Sequence, residues 1–96
     1  MKTLIVFNHP YAGSFCNAIM EAVIKGLAES GQPYGLIHLD KDGFDPVMHA
    51  KDLKAFALAG KGDAAALDEV DPLVLTYKAK LEKTEHLVMI FPIWWM

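Results

Sequence analysis

Residues 4–17 read L-I-V-F-N-H-P-Y-A-G-S-F-C-N, and this stretch decides the fold. Four apolar residues, three of which favour β-strands, run into a polar segment with one histidine, one glycine and one serine. From Ala18 onward, apolar residues recur at helical spacing. A strand, a short loop and a helix start can place backbone N–H groups and the helix dipole beside a phosphate. The stretch therefore predicts an anion-binding loop at the end of a buried strand.

The composition predicts one small domain with ample apolar material for a core. The chain has 96 residues, of which 53% are hydrophobic, so disorder is excluded. A formal net charge of -3 provides no basic patch for nucleic acid, and we expect no nucleic-acid partner. The single cysteine, Cys16, excludes an intrachain disulfide and fits a reducing compartment. The apolar stretch 87–96 is too short to span a bilayer, so we expect a cytoplasmic protein without membrane insertion.

The rest of the chain alternates between strand and helix patterns. Residues 3–7 form a continuous apolar run, as in a strand buried on both faces. Ser14 is a candidate N-cap for the first helix, and Gly31 is its stop signal. The later elements are a strand at 34–39, a short helix at 51–59, a helix from Pro72 to about Thr84, and a strand at 86–91. This order predicts an α/β fold with a parallel sheet and flanking helices.

Three strands are few for a fold of this kind. The chain also stops at Trp94-Trp95-Met96 without a polar tail, whereas domains usually end in exposed, poorly ordered residues. We therefore expect residues 1–96 to form one incomplete domain that is truncated at its C-terminal end.

His9 follows the first strand, at the edge where open α/β sheets bind ligands. A polar residue that merely finishes a strand is the alternative reading. Gly13 allows close approach of backbone to a phosphate, and the Ser14 hydroxyl can donate to it. The spacing matches neither the P-loop nor the Rossmann fingerprint, so a phosphate loop of another kind remains open. Cys16 is better read as a small packing residue than as a reactive thiol.

A second polar group lies in the segment after the second strand. It consists of His38, Asp40, Asp42, Asp45 and His49. The spacing lacks the third acidic residue and the closing glutamate of a calcium loop. A solvated acidic loop is the favoured reading, and we predict no metal site.

The last informative stretch, 91–95, reads F-P-I-W-W. Core aromatics are the simplest account, but two adjacent tryptophans in an extended segment cannot point the same way. Pro92 predicts a loop at the carboxyl end of the third strand, on the same edge as His9. Large flat side chains and backbone donors at that edge suit a planar heterocycle.

Three segments together resemble the flavodoxin-like NAD(P)H:quinone oxidoreductases, the family that includes NADPH-quinone reductases and ancillary oxidoreductases of potassium-efflux systems. They are N-H-P-Y-A-G-S-F-C-N-A at 8–18, D-K-D-G-F-D-P at 40–46 and L-V-M-I-F-P-I-W-W at 87–95. The resemblance covers essentially the whole chain, and it implies a flavodoxin-like fold.

The resemblance also implies a flavin site. Contacts to the flavin phosphate and ribityl region fall on His9, Ser14, Phe15, Cys16 and Asn17. Contacts to the flavin ring fall on Pro92, Ile93, Trp94, Trp95 and Met96, largely through backbone. In the family, a further helix and two strands supply the rest of the site and its Tyr and His residues near the hydride. This chain would form about half a flavin site, and no catalytic residue is assigned within it.

The activity implied is hydride transfer from NAD(P)H to the flavin, followed by reduction of a quinone. The long 40–70 connection resembles that of the FAD-using branch of the family, which implies FAD, with FMN as the alternative. The resemblance also implies a homodimer with the site at the interface. Two other readings stay open. One is a flavin-binding regulatory or ancillary module without turnover, and the other is an inactive truncated remnant.

Overall fold

The computed structural model describes residues 2–60 and 71–93. The elements are β1 (Thr3–Phe7), α1 (Phe15–Glu29), β2 (Tyr34–His38), α2 (Ala50–Gly60), α3 (Pro72–Glu82) and β3 (His86–Ile90). The strands form a parallel sheet in the order β2-β1-β3. The predicted α/β fold with a parallel sheet and flanking helices is therefore confirmed.

Strand β1 is the centre of the sheet and of the core. Alternate residues of a strand face opposite sides of the sheet. On one side, Ile5 and Phe7 form the core cluster with Ile90 of β3 and Met20 of α1. On the other side, Leu4 is fully buried. The prediction that β1 is buried on both faces is confirmed, and its apolar run is explained by this central position.

Helix α1 begins where Ser14 caps it. The Ser14 backbone is extended, and its Oγ accepts a hydrogen bond from the Asn17 N–H at 3.1 Å. The cap predicted at Ser14 is confirmed, and the helix starts at Phe15, three residues before the apolar periodicity begins at Ala18. A side-chain cap of this kind is worth about 1 kcal/mol of helix stability.

Helix α1 ends in a Schellman motif built around Gly31. The Gly31 φ is 70°, a left-handed conformation that glycine adopts without the steric cost of a Cβ. Its N–H donates to the Ala28 carbonyl at 3.2 Å, and the Gln32 N–H donates to the Leu27 carbonyl at 2.9 Å. These bonds provide donors for carbonyls at the end of the helix, which otherwise have no partner within it. The predicted stop at Gly31 is confirmed.

The chain divides into two compact units. One comprises residues 1–44 and 80–96, and the other residues 45–79. In the second unit, Asp71 caps α3, because its Oδ1 accepts the Leu73 N–H at 2.9 Å. The helix start predicted from Asp71-Pro72 is confirmed.

Helix α2 begins in a comparable way, with a reciprocal cap at its first turn. The His49 N–H donates to the Asp52 carboxylate at 2.9 Å, and the Asp52 N–H donates to the His49 carbonyl at 3.0 Å.

Within the part of the chain that the structure describes, none of the helices combines the length and hydropathy that a membrane span requires.

Candidate functional site

The carboxyl ends of the three strands meet at one edge of the sheet. The Asn8 N–H, just after β1, donates to the Ile90 carbonyl of β3 at 3.1 Å. The Leu39 N–H, just after β2, donates to the Phe7 carbonyl of β1 at 3.0 Å. These two bonds extend the hydrogen bonding between the strands by one residue beyond β1 and β2. They place the segments that follow β1, β2 and β3 side by side, where open α/β sheets bind ligands.

An open pocket of about 310 Å³ lies at this edge. Its wall is apolar except for Asn8. The apolar residues that line it are Val6, Leu39, Met89, Ile90, Phe91 and Pro92. Ligand pockets in proteins span roughly 300–1,000 Å³ and combine an apolar lining with a few polar groups. The pocket therefore has the size and the lining that suit a flat, largely apolar ring.

The loop between β1 and α1 is held by its own hydrogen bonds. The Tyr11 N–H donates to Nδ1 of the half-buried His9 ring at 3.1 Å. The Ser14 N–H donates to the Tyr11 carbonyl at 3.1 Å and closes a turn. The His9 ring thus supports the loop, and its neutral form carries the proton on Nε2 because Nδ1 accepts a bond.

Gly13 lies against the side chain of Tyr11, a contact that the sequence did not reveal. A Cβ placed on Gly13 would lie 2.7 Å from Cζ and Oη of Tyr11, well inside van der Waals contact. The Tyr11 ring therefore occupies the space beside Gly13 that the sequence reading assigned to an approaching phosphate. Because Tyr11 is 68% exposed, its ring can move without disturbing the core.

The start of α1 presents backbone N–H groups next to this loop. In any α-helix the first N–H groups have no acceptor within the helix, and the dipole makes that end positive. Ser14 takes the N–H of Asn17, which leaves those of Phe15 and Cys16 as the donors that helix geometry makes available to an anion. The Asn17 side chain donates to the Glu21 carboxylate at 3.1 Å.

The side chains of Phe15 and Cys16 have different surroundings. Phe15 is 80% exposed, although it is a large aromatic residue beside the loop. Cys16 is partly buried and packs against the core cluster that contains Phe7 and Met20. The favoured reading of Cys16 as a small packing residue agrees with this contact. Any contribution of Cys16 to anion binding must therefore come from its backbone N–H.

The predicted ring-binding segment is described only in part. Pro92 is half-buried and lines the pocket, and Ile93 is 71% exposed. Trp94, Trp95 and Met96 lie outside the described residues, so their predicted contacts stay predictions. Met89 and Phe91, which the sequence reading did not assign, line the pocket and are 59% and 53% exposed.

His38 is a further residue at this edge that sequence reasoning did not assign to the site. It is the last residue of β2 and pairs in register with Phe7. Its ring meets the Phe7 ring edge to face, with the centroids 4.8 Å apart and an interplanar angle of 70°. Its Nδ1 accepts the Lys41 N–H at 3.1 Å. The available signal was its position at the end of a strand beside β1.

The acidic segment after β2 is held by local hydrogen bonds. Across residues 2–60 and 71–93, no group of three or more His, Cys, Asp or Glu side chains is arranged to hold a metal ion. His49 Nε2 lies 2.6 Å from Asp45 Oδ2 in an exposed pair. The hydrogen bond from His49, assisted by the Val47 N–H, lowers the pKa of the Asp45 carboxyl from its usual value.

Comparison with known protein families matches residues 1–96 to the flavodoxin-like fold. The chain belongs to the flavodoxin-like fold family. It is also 28% identical over 102 residues to a ribosyldihydronicotinamide dehydrogenase-like protein of Penicillium crustosum. That alignment covers 99% of this chain and 38% of the relative, so the chain spans well under half of the relative's length. The resemblance drawn from the three sequence segments is confirmed at the level of the family.

Proposed function

We propose that this protein is a flavin-dependent NAD(P)H:quinone oxidoreductase. The observation that carries the proposal is the shared sheet edge. There the loop after β1, with its helix N-terminus, lies beside the segment after β3, whose apolar residues line the pocket. A flavin has these two parts, a phosphate and a flat ring. The dehydrogenase-like name of the relative supports oxidoreductase chemistry in the same family.

The described residues fit a flavin in shape and in charge. The pocket of about 310 Å³ offers apolar side chains to a ring, with Met89 and Phe91 exposed at its wall. Asn8 adds a polar side chain to the same wall. The N-terminus of α1 offers N–H donors and positive potential to a phosphate. A mononucleotide or dinucleotide flavin satisfies both halves, and FAD is the proposed cofactor, with FMN as the alternative.

The chemistry comes from the cofactor, and the protein positions the reactants. A bound flavin supplies two-electron redox chemistry between NAD(P)H and a quinone. In this proposal the capped start of α1 would anchor the phosphate through the backbone N–H groups of Phe15 and Cys16. Pro92 and Ile93 would begin the ring segment, and residues 94–96 would continue it. The apolar residues that line the pocket would offer the ring a surface from which water is excluded. Homodimer formation and a cytoplasmic location stay predictions.

The proposal is tested by steady-state oxidation of NADH and NADPH by the purified, flavin-saturated protein, with and without an added benzoquinone or naphthoquinone. We expect quinone-dependent loss of nicotinamide absorbance in proportion to bound flavin. A protein that binds flavin but oxidises neither nucleotide would instead support the regulatory or ancillary module. A protein that binds no flavin would contradict the proposal and favour the inactive remnant.

A further inference from the structure

Asn8 lies in the middle of the apolar wall of the pocket. The register that pairs β1 with β2 and with β3 continues for one residue past the strands, as the N–H bonds of Asn8 and Leu39 show. In this register, Leu39 stands on one side of Asn8 and Phe91 stands on the other. All three residues line the pocket. The end of the sheet therefore presents one amide between two apolar side chains.

The alternation of side chains along β1 directs Asn8 toward the pocket. Successive residues of a strand face opposite sides of the sheet, so Asn8 shares a side with Val6 and lies opposite Phe7. Phe7 belongs to the core cluster that includes Met20 of α1. Val6 lines the pocket and pairs in register with Met89, which also lines it. The Asn8 side chain is therefore on the pocket side of the sheet, away from the α1 core.

A ring that fills this pocket would cover the Asn8 amide. Asn8 is exposed, so water hydrogen-bonds its amide in the free protein. A ring that displaces this water without replacing its hydrogen bonds would lose about tenfold or more in affinity, because a covered amide without a partner is costly. The pocket therefore favours a ring that carries hydrogen-bonding atoms over a hydrocarbon ring of the same shape.

We propose that Asn8 binds and orients the flavin ring by pairing its side-chain amide with the pyrimidine edge of that ring. The amide offers an N–H donor next to a carbonyl acceptor. The flavin edge offers the C4 carbonyl next to the N3–H group, which is the complementary pattern. Two such bonds would fix the rotation of the ring, which apolar contacts alone do not specify. This inference rests on the proposed function, because it assumes that the pocket holds a flavin ring.

The alternative is that Asn8 is only the polar residue that ends β1. Two changes separate these roles, one in the protein and one in the ligand. Asn8→Leu keeps a side chain of similar size but removes both hydrogen-bonding atoms. A methyl group on N3 of the flavin removes the ring donor and leaves the phosphate unchanged. If the amide and N3–H meet, the effects of the two changes are coupled, and if they do not meet, the effects add.

The experiment measures dissociation constants by quenching of flavin fluorescence for FAD, FMN and the 3-methyl form of each. In the wild-type protein, we expect 3-methylation to weaken binding about tenfold, because it leaves the amide carbonyl of Asn8 covered and unpaired. Asn8→Leu should bind the unmethylated flavin about tenfold more weakly than the wild-type protein does. In that variant, 3-methylation should change the affinity by less than about twofold, as expected for uncoupled changes.

Val6→Ala is the control within the same pocket. It removes apolar contact but keeps the amide, so it should weaken the binding of both flavin forms and retain the full penalty for 3-methylation. Far-ultraviolet circular dichroism checks that each variant is folded. If Asn8→Leu does not fold, Asn8→Ala provides the same comparison, because it also removes both hydrogen-bonding atoms.

Two results would overturn the inference. An equal penalty for 3-methylation in the wild-type protein and in Asn8→Leu would show that the amide and N3–H do not meet. Unchanged flavin affinity in Asn8→Leu would assign Asn8 to the end of the strand alone. Both results leave the proposed function in place, because flavin is still bound. Failure of the wild-type protein to bind both FAD and FMN contradicts the proposed function itself, and this inference with it.

Discussion

The two halves of the candidate site are built in different ways. The loop after β1 is fixed by short-range hydrogen bonds, from Tyr11 to His9, from Ser14 to Tyr11 and from Asn17 to Ser14. The segment around the end of β3 instead carries exposed apolar side chains, with Met89 at 59% and Phe91 at 53% exposure. The first half is pre-organised by local sequence. The second half is held by the pairing of β3 with β1, and it offers apolar surface that a ligand would remove from water.

Mutations in the buried core and mutations in the exposed pocket should have different effects. A buried residue below the site contributes to folding, because its removal leaves a cavity. An exposed apolar residue in the pocket contributes to binding, because a ligand removes its surface from water at roughly 25 cal/mol per Å². Substitutions in the two places should therefore change different measured quantities.

The largest effect is expected for Phe7→Ala. Phe7 is 1% exposed and belongs to the core cluster, so its truncation should lower the free energy of unfolding by about 3–5 kcal/mol. Phe91→Ala is the matched control, since Phe91 is largely exposed, and it should change that free energy by less than about 0.5 kcal/mol. Urea denaturation followed by circular dichroism measures both. Equal destabilisation by the two substitutions would remove the distinction between core and pocket.

The next effect concerns charge at the loop. Ser14→Asp should lower flavin affinity by about tenfold or more, because a carboxylate would repel the phosphate at the helix N-terminus. Aspartate is as good an N-cap as serine, so the free energy of unfolding should change little. Ser14→Ala is the converse control, with a loss of about 1 kcal/mol of stability and no repulsion. Flavin titration of the three proteins would reject the phosphate assignment if Ser14→Asp bound flavin as tightly as the wild-type protein.

A smaller effect is expected for Gly13→Ala. The new Cβ would lie 2.7 Å from the Tyr11 ring, which must move aside. Because that ring is exposed, the cost in unfolding free energy should stay below about 1 kcal/mol. The double substitution with Tyr11→Ala should remove the cost of Gly13→Ala, which a double-mutant cycle measures. A cost that persists without the Tyr11 ring would show that the backbone itself requires glycine.

The smallest effect belongs to the exposed Asp45–His49 pair. His49 lowers the pKa of the Asp45 carboxyl by hydrogen bonding, so the pair stabilises the fold above the usual carboxyl pKa. That contribution is lost as the pH falls through the lowered pKa of Asp45. Titration followed by NMR should show a lower midpoint for Asp45 than in His49→Ala. An unchanged midpoint in the variant would assign the lowering to the Val47 N–H.

The local features of the fold could be predicted from the sequence because their signals are local. The apolar run of β1, the cap at Ser14, the stop at Gly31 and the start at Asp71-Pro72 each depend on a few adjacent residues. The helical pattern of α3 predicted its existence but not its burial. Leu73 and Tyr77 are half-buried, whereas Leu81 is 46% exposed.

The parts of the site that sequence reading missed depend on contacts between side chains. His38 meets Phe7 only because β2 pairs with β1 in one register, and no local pattern specifies that register. Tyr11 covers Gly13 through a side-chain conformation that the loop sequence does not encode in any simple way. The segments predicted to form the site lie at one edge of the sheet, and the Tyr11 ring beside Gly13 is a feature that the sequence did not indicate.

The most direct test of the central claim is the visible absorbance of the purified protein after incubation with FAD or FMN and removal of free cofactor. We expect a yellow protein that retains flavin, with FAD retained better than FMN. A folded protein that stays colourless with both cofactors would contradict the claim that the shared sheet edge is a flavin site.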